Sequence, residues 1–171
     1  IAGAGPAGST AGYILSSAGL NVLIIDKNTF PRQKLCGGCI TNKTVKLLER
    51  VFGETPDSLK EKGIINYESW SYEFRSRKSL ITRGRTPFPF YFVDRDRYDH
   101  FLRERAGQAG AGIVEGETVR SLDILKGAVT TSGGGKYSAD FIIGADGVNS
   151  RIRRSFLVEL FDRPDWNLNV A

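Results

Sequence analysis

The stretch IAGAGPAGSTAGYILSSAGLNVLIID, residues 1–26, decides the fold of this chain. It predicts the end of a strand, a tight glycine turn, a helix and a second strand. The run NVLIID is apolar at nearly every position, which is typical of a parallel strand buried on both faces. A glycine turn that opens a helix presents free backbone N–H groups and the positive end of the helix dipole to a phosphate. The stretch therefore predicts a β-α-β unit that binds a dinucleotide.

The three glycines of GAGPAG have separate tasks in such a unit. Gly3 permits the tight turn, Gly5 lets the backbone approach a pyrophosphate, and Gly8 lets the helix pack closely on the strand. Asp26 ends the second strand, where a carboxylate can accept hydrogen bonds from both ribose hydroxyls and would repel a 2′-phosphate. The alternative is a glycine turn without a ligand.

The apolar positions of the helix that follows the turn predict a packing face made of Ala7, Ala11, Ile14, Leu15 and Ala18.

Composition narrows the class of protein. The chain has 171 residues, 40% of them hydrophobic, a net charge of +5, two cysteines and no methionine. This length suits one domain with a core, and no apolar run reaches the ~20 residues that span a bilayer. So few cysteines indicate a reducing, cytoplasmic compartment. The basic residues are spread along the chain without a recognised binding module, so nucleic-acid binding is not predicted. The chain opens inside a strand, and we interpret it as the amino-terminal part of a longer protein.

The rest of the chain predicts an α/β domain with a mainly parallel sheet, a small β-meander and an antiparallel excursion. Residues 27–41 read as an irregular loop, and NKTVKLLERVF as a helix with Asn42 as its N-cap. Residues 53–92 predict antiparallel strands, DRDRYDHFLRERAGQAGA a helix, and GVNSRIRRSF a last short helix. The predicted boundaries are 1–155 for the nucleotide domain, 60–93 for the inserted excursion and 156–171 for the start of a substrate domain.

Two further segments indicate which dinucleotide is bound. DFIIGADGVNSRIRR runs from an apolar strand through Asp146 and Gly147 into a basic helix, and it resembles the second fingerprint of FAD-dependent hydroxylases and their relatives. VDRDRYDHFLRERAGQAGA resembles a helix start that these flavoproteins share, with Tyr98 where phenylalanine is common. The resemblance implies a Rossmann-like FAD-binding domain. It also implies that Asp146 binds ribose or ordered water and that Arg95 faces the cofactor.

The loop KNTFPRQKLCGGCITNKTV, residues 27–45, resembles the geranylgeranyl reductase family through FPRQKLCGG. Flavin halogenases share Phe-Pro-Arg but usually continue with Gly-Glu-Ser, which is absent here. The resemblance implies hydride transfer from reduced flavin to an isoprenoid double bond, with NADPH or reduced ferredoxin as electron donor. It also implies a hydrophobic lipid substrate, for which peripheral membrane contact is a reasonable expectation.

Within this loop, Arg32 can bind an FAD phosphate through two hydrogen bonds, and Gly37 and Gly38 give backbone N–H groups access to flavin or substrate. Cys36 would lie near the flavin ring, to position substrate or supply a proton. The alternative is a small packing residue. Cys36 and Cys39 also form a CxxC, which leaves a redox dithiol open. A zinc site would need further ligands, which the chain offers only in the distant His100.

The sequence thus predicts Cys36 as the catalytic residue, no metal ligands, and a set of cofactor-binding residues. This set is Gly3, Gly5, Pro6, Ala7, Gly8, Asp26, Lys27, Arg32, Gly37, Gly38, Arg95, Val119, Asp146 and Gly147. The aromatic residues of the excursion either line a hydrophobic substrate channel or belong to an ordinary sheet core. They are Trp70, Phe88, Phe90, Tyr91 and Phe92. Two rival functions remain, an FAD-dependent monooxygenase acting on an aromatic or polyketide compound and a nucleotide-binding module without turnover.

Overall fold

The computed structural model describes residues 1–161, with side chains for residues 1–158. Residues 162–171, most of the predicted start of a substrate domain, lie outside the described residues. The helices are α1 Pro6–Ser17, α2 Asn42–Phe52, α3 Pro56–Glu61, α4 Arg95–Gln108 and α5 Arg151–Phe161. The strands are β1 Leu23–Ile25, β2 Cys39–Ile40, β3 Ile65–Ser76, β4 Ser79–Val93, β5 Gly112–Val114, β6 Val119–Asp123, β7 Ala128–Thr131 and β8 Lys136–Ser138.

The chain divides into two compact units. Unit 1 comprises Ile1–Arg32 and the chain from Asp99 onward, and unit 2 is the intervening segment Gln33–Tyr98. The segment 60–93, predicted as an inserted excursion, lies inside unit 2.

A parallel sheet forms the centre of unit 1. β1 pairs in parallel with β5, and Ala2 makes parallel bridges to Ile25 on one side and Gly144 on the other. The Ala2 N–H donates to Ile143 O at 2.9 Å, and the Ala145 N–H donates to Ala2 O at 2.8 Å. Four chain segments therefore run side by side, and the predicted α/β class with a parallel sheet is confirmed.

The strand β1 is buried on both faces, as its unbroken apolar run predicts. Ile24 and Ile25 are 0% and 5% exposed and point to opposite sides of the sheet. Ile24 belongs to a cluster with Ala4, Val22, Phe30, Ala106 and Ala111. Ile25 belongs to a second cluster with Ala2, Val129 and Ile152. The two clusters form the core on either face of the sheet.

The predicted packing face of α1 is largely wrong. Ala7, Ile14 and Ala18 are exposed, and the buried positions are instead Gly8, Ser9 and Gly12. A Cβ added at Gly12 would lie 2.5 Å from Ile24 Cδ1. The helix packs so closely on β1 that a glycine is needed at position 12, while Tyr13 and Leu15 pack, partly buried, against the same core cluster.

An antiparallel meander completes the described strands of unit 1, in the order β6-β7-β8. Its pairing places Val129 opposite Leu122 on one side and Tyr137 on the other. Both neighbours pack against the second cluster, so the meander closes one face of the parallel sheet. The predicted small β-meander is therefore present.

Unit 2 is built on an antiparallel sheet in the order β2-β4-β3. The long hairpin of β3 and β4 has a register shift where Ser69 faces Phe90 and Ser71 faces Arg85. The β4 residues between them include Pro87 and Pro89, which cannot donate ladder hydrogen bonds and are tolerated at such irregularities. The predicted irregular loop 27–41 contributes β2 to this sheet.

Two predictions about the helices of unit 2 are wrong. Thr41, not Asn42, is the N-cap of α2, since Thr41 is extended with φ −90° and Asn42 is already helical. The helix α3 falls where antiparallel strands were predicted. It begins at Pro56, and its N-cap Thr55 accepts a hydrogen bond from the Ser58 N–H at 3.2 Å. Thr-Pro-Asp-Ser is a helix-start signal that indicates this element.

Candidate flavin site

The glycine turn between the first chain segment and α1 has two positions where a side chain cannot fit. Gly3 has φ +103°, and an added Cβ would lie 2.4 Å from Ala145 O. At Gly8 an added Cβ would lie 1.8 Å from Gly3 O. These contacts match the roles predicted for a tight turn and for close helix packing.

Gly5 differs, since the nearest atom to its added Cβ is Arg32 Nη2 at 3.6 Å. The protein itself therefore leaves room at Gly5, as the close approach of a pyrophosphate requires. Gly5 is also the N-cap of α1, without a side-chain capping hydrogen bond, and Pro6 and Ala7 follow it in the first turn. The N–H groups of this turn are those that a phosphate would accept from.

Asp26 is 7% exposed and tightly held. Its Oδ2 accepts from the Ala4 N–H at 2.7 Å, and its Oδ1 accepts from the Asn28 N–H at 2.8 Å and from Asn28 Nδ2 at 3.2 Å. A carboxylate has about four acceptor positions, two on each oxygen, so Oδ2 retains capacity for a ribose hydroxyl. The sequence reasoning missed Asn28, and Lys27 is exposed beside it.

The second fingerprint lies directly against the first. An added Cβ on Gly3 would approach the backbone of both Ala145 and Asp146, and Ala145 is hydrogen-bonded to Ala2. The two glycine segments from opposite ends of the sequence therefore meet at one edge of the parallel sheet. This is the edge at which ligands of open α/β sheets bind.

Asp146 also has a structural task. Its Oδ2 accepts from the Arg151 N–H at 2.6 Å and from the Ile152 N–H at 3.3 Å, so it caps the start of α5. Its Oδ1 is buried and has no hydrogen-bond partner among the described residues. Gly147 has φ +83°, and no atom lies within 4 Å of its added Cβ. One oxygen of Asp146 and the backbone at Gly147 thus fit contact with a ligand.

Arg32 and Val119 complete the candidates in unit 1. Arg32 Nη2 lies 3.0 Å from Asp99 Oδ2, in an ion pair that the sequence reasoning did not anticipate. Asp99 lies in the helix start YDHF that the flavoprotein resemblance covers, which is the signal that could have found it. Val119 begins β6 opposite Thr131 and packs against the second cluster, so its side chain belongs to the core.

Unit 2 holds the remaining candidates. Cys36 and Gly37 are exposed, and the Gly38 N–H donates to Cys36 Sγ at 3.5 Å. An added Cβ on Gly38 would lie 2.1 Å from Val93 O, so β4 alone requires glycine there. Arg95 is half-buried in the first turn of α4.

The two cysteines and the aromatic residues also have defined places in unit 2. Neither Cys36 nor Cys39 forms a disulfide in the described part of the chain, and Cys39 pairs with Phe92 in the sheet. Trp70 and Phe88 are exposed, whereas Tyr91 is buried. The aromatic residues of the excursion are therefore divided between the surface and the core.

Two searches of the described residues bear on other kinds of site. Residues 1–161 contain no cluster of three or more His, Cys, Asp or Glu side chains that could hold a metal ion. Within the same range, none of the helices has the length and apolarity needed to cross a membrane.

A glycine turn that leaves room for a pyrophosphate, with a second glycine segment beside it at the same edge of the sheet, defines a dinucleotide-binding protein. The chain belongs to the FAD binding domain family, whose model matches residues 1–167. The FAD-dependent class predicted from the sequence is thereby confirmed, with FAD as cofactor.

Three similar proteins have names that indicate three different reactions. A geranylgeranyl diphosphate reductase from Rhodobacter capsulatus is 35% identical over 90% of this chain and 38% of its own length. The tetrameric form of 2-methyl-3-hydroxypyridine-5-carboxylic acid oxygenase is 28% identical, with a TM-score of 0.74 over 91% of this chain and 40% of that one. Halogenase PltM in complex with phloroglucinol and FAD has a TM-score of 0.74 at 23% identity over 91% and 35%, and shows the fold alone. The chain spans 38% of the curated reductase.

Proposed function

We propose that the protein is an FAD-dependent oxidoreductase that reduces carbon–carbon double bonds of an isoprenoid lipid. The observation that carries the proposal is the loop FPRQKLCGG, residues 30–38, which resembles the geranylgeranyl reductase family. The 35% identity to a geranylgeranyl diphosphate reductase over 90% of the chain supports it. When bound and reduced, the flavin supplies the hydride.

The residues of unit 1 would hold the cofactor. The first turn of α1 binds the pyrophosphate through backbone N–H groups, and Arg32 beside Gly5 adds a positive charge. Asp26, already fixed by the Ala4 and Asn28 N–H groups, would accept a ribose hydroxyl at Oδ2 without needing to reorient. Asp146 and Gly147 contribute from the second fingerprint. These residues bind and orient the cofactor, whose chemistry does the reduction.

Cys36 would supply the proton that completes the reduction. Saturation of a double bond needs a hydride at one carbon, which bound and reduced flavin would supply, and a proton at the other. A thiol in its protonated form can donate that proton to the second carbon. The Gly38 N–H at 3.5 Å from Cys36 Sγ would stabilise the thiolate that remains. Water then returns a proton to the sulfur.

The electron donor would be NADPH or reduced ferredoxin, which restores the reduced flavin after each turnover. The substrate would be a hydrophobic isoprenoid chain, with a cytoplasmic enzyme meeting it at a membrane surface. Exposed apolar side chains of unit 2, among them Leu35 beside Cys36, provide surface that such a chain could contact.

A second candidate function is an FAD-dependent monooxygenase that acts on an aromatic compound. The 28% identity to 2-methyl-3-hydroxypyridine-5-carboxylic acid oxygenase favours it. This function predicts NADPH oxidation that is stimulated by substrate, consumes oxygen and yields an oxygenated product.

Anaerobic reduction of the full-length protein separates these functions. The flavin is reduced with dithionite, and geranylgeranyl diphosphate is then added without oxygen. Under the proposed function, the oxidised flavin spectrum returns and mass spectrometry finds the lipid heavier by two hydrogen atoms per reduced double bond. A flavin that stays reduced until oxygen is admitted, with or without lipid, contradicts the reductase, and substrate-dependent oxygen incorporation into an aromatic compound supports the second candidate.

A further inference from the structure

A buried ion pair stands where the chain leaves unit 1 and where it returns. Arg32 is the last residue of the first segment of unit 1, and Asp99 is the first residue of the second segment. Their side chains are 13% and 0% exposed, with Arg32 Nη2 3.0 Å from Asp99 Oδ2. A fully buried carboxylate is costly unless it is paired, so Arg32 and Asp99 hold each other in place.

The surroundings of Arg32 restrict its side chain further. Its guanidinium carbon lies 5.0 Å from the centre of the Phe30 ring, within the range of a cation–π contact. Phe30 is itself buried, and its N–H donates to Glu115 Oε2 at 3.3 Å. Glu115 Oε1 in turn accepts from Arg103 Nε at 2.7 Å. The loop that carries Arg32 is therefore anchored on α4 through Asp99 directly and through Arg103 by way of Glu115.

This arrangement places the guanidinium beside the phosphate turn. Arg32 Nη2 is the nearest atom to a Cβ built on Gly5, at 3.6 Å, and Gly5 is the N-cap of α1. Among the described residues, Arg32 Nε has no hydrogen-bond partner although it is buried. The charged group thus has a fixed position next to the N–H groups of the helix start and retains a donor that is not used.

We propose that Asp99 is a positioning residue. It holds the Arg32 guanidinium at the start of α1, so that the guanidinium meets the pyrophosphate of FAD. A free arginine side chain loses rotamer entropy when it is ordered. Asp99 orders Arg32 before the ligand arrives, and the binding step then costs less. The inference rests on FAD binding at the glycine turn and is independent of the substrate.

The test compares FAD with riboflavin, which has the same ring but no phosphate, on full-length apoprotein by flavin fluorescence. Asp99→Asn is expected to weaken FAD binding about tenfold, in line with a hydrogen bond to a charged group. It is expected to leave riboflavin binding unchanged and to flatten the dependence of FAD affinity on salt. Glu104→Gln, on the same helix with its carboxylate 3.4 Å from His100 Nε2, is the matched control and should bind FAD as the wild type does.

A double-mutant comparison tests whether Asp99 acts through Arg32. In an Arg32→Gln background, Asp99→Asn should cause no further loss of FAD affinity. Asp99→Glu keeps the charge but displaces the carboxylate, so it should show a smaller loss that is again confined to FAD.

Several outcomes overturn the inference. Equal losses for FAD and riboflavin would give Asp99 a purely structural role, and additive losses in the double variant would separate it from Arg32. Tighter FAD binding by Asp99→Asn would mean that the carboxylate merely offsets the charge of Arg32. Wild-type protein that binds no FAD would overturn the proposed function as well, whereas the other results leave that function intact.

Discussion

Gly8 is the residue of the phosphate turn with the least room for a side chain. An added Cβ would lie 1.8 Å from Gly3 O, which is a backbone atom and cannot rotate away. Gly8→Ala should therefore destabilise the protein by roughly 3 kcal/mol, the upper part of the usual range for overpacking. Chemical denaturation measures the change in the free energy of unfolding.

Gly107→Ala provides the matched control for Gly8→Ala, since both glycines lie in helices of unit 1. The nearest atom to its added Cβ is Ile113 Cδ1 at 3.5 Å, an ordinary contact. Alanine is favoured over glycine in helices by roughly 0.5–1 kcal/mol, so this variant should be unchanged or slightly more stable. Similar stability of the two variants would contradict the close packing of α1 on the turn.

Cys36 and Cys39 permit a matched test of the proposed proton donor. Both are exposed cysteines, but Cys36 lies in the loop and accepts a hydrogen bond from the Gly38 N–H, whereas Cys39 begins β2. Cys36→Ala should retain FAD and slow double-bond reduction by about a hundredfold, a typical contribution of general acid catalysis. Cys39→Ala should leave turnover unchanged. Single-turnover reoxidation of the reduced flavin by lipid measures both, and unchanged turnover in Cys36→Ala removes the thiol from the mechanism.

Some residue roles could be predicted from the sequence and others could not. The tasks of Gly3 and Gly8 follow from backbone sterics, which are local, and the structure gives each the expected close contact. The ion-pair partner of Arg32 could not be predicted from the sequence, because Asp99 lies on a helix that is distant in sequence and that the fold brings close to Arg32. Gly38 was expected to give a ligand access to backbone N–H groups. Its lack of a side chain is already required by the close approach of Val93 O.

At the scale of elements, Glu117 links the loop after β5 to the turn between β7 and β8. It accepts a hydrogen bond from the Gly133 N–H at 2.8 Å, and this is the main reason why its pKa lies below the ordinary value of 4.5. The Thr131 and Ser132 side chains lower the pKa further. A carboxyl group with a lowered folded-state pKa stabilises the folded protein above its unfolded-state pKa. That stabilisation is lost as the pH falls through the folded-state value.

Glu117→Gln should therefore make the free energy of unfolding less dependent on pH in acid. Wild type should lose more stability than the variant as the pH falls below the ordinary value of 4.5, because only wild type must protonate this hydrogen-bonded carboxylate. Denaturant titrations at several pH values measure the difference. Glu61→Gln, at the end of α3, should keep the wild-type profile, and parallel profiles for wild type and Glu117→Gln would contradict the role of this carboxylate.

The helices show why element predictions fail at particular points. The apolar pattern of α1 assigns Ile14 to the packed face, but the helix instead buries Gly8, Ser9 and Gly12, so Ile14 is 47% exposed. The six residues of α3 lie just before a long strand, and a short helix has too little periodicity to stand out. Its Thr55-Pro56 start is a stronger signal than its apolar pattern.

At the scale of the whole molecule, FAD binding should stabilise the full-length protein by linkage. FAD at a hundred times its Kd should raise the free energy of unfolding by about 2.7 kcal/mol. Asp26→Ala removes the fixed acceptor for the ribose hydroxyls, so at the same FAD concentration it should lose most of this stabilisation. Thermal unfolding with and without FAD measures both proteins.

Asp57→Ala is the control for this linkage experiment, because Asp57 is an exposed carboxylate in unit 2 and should leave the FAD-induced shift unchanged. Each variant is compared with its own FAD-free form, so that any effect of the substitution on the apoprotein cancels. An FAD-induced shift in Asp26→Ala equal to that of wild type would show that the ribose binds elsewhere.

The sequence by itself determined the β-α-β unit, the glycine turn, the acidic residue after β1 and the flavoprotein family. These depend on backbone sterics and on the period of apolar residues, which are written in short stretches of sequence. Only the tertiary structure decided that Ala2 lies between Ile25 and Gly144, so that the two fingerprints share one edge of the sheet. It also decided that Arg32 pairs with Asp99. Such contacts join distant segments, and they follow from the order of strands and the packing of helices on both faces of the sheet.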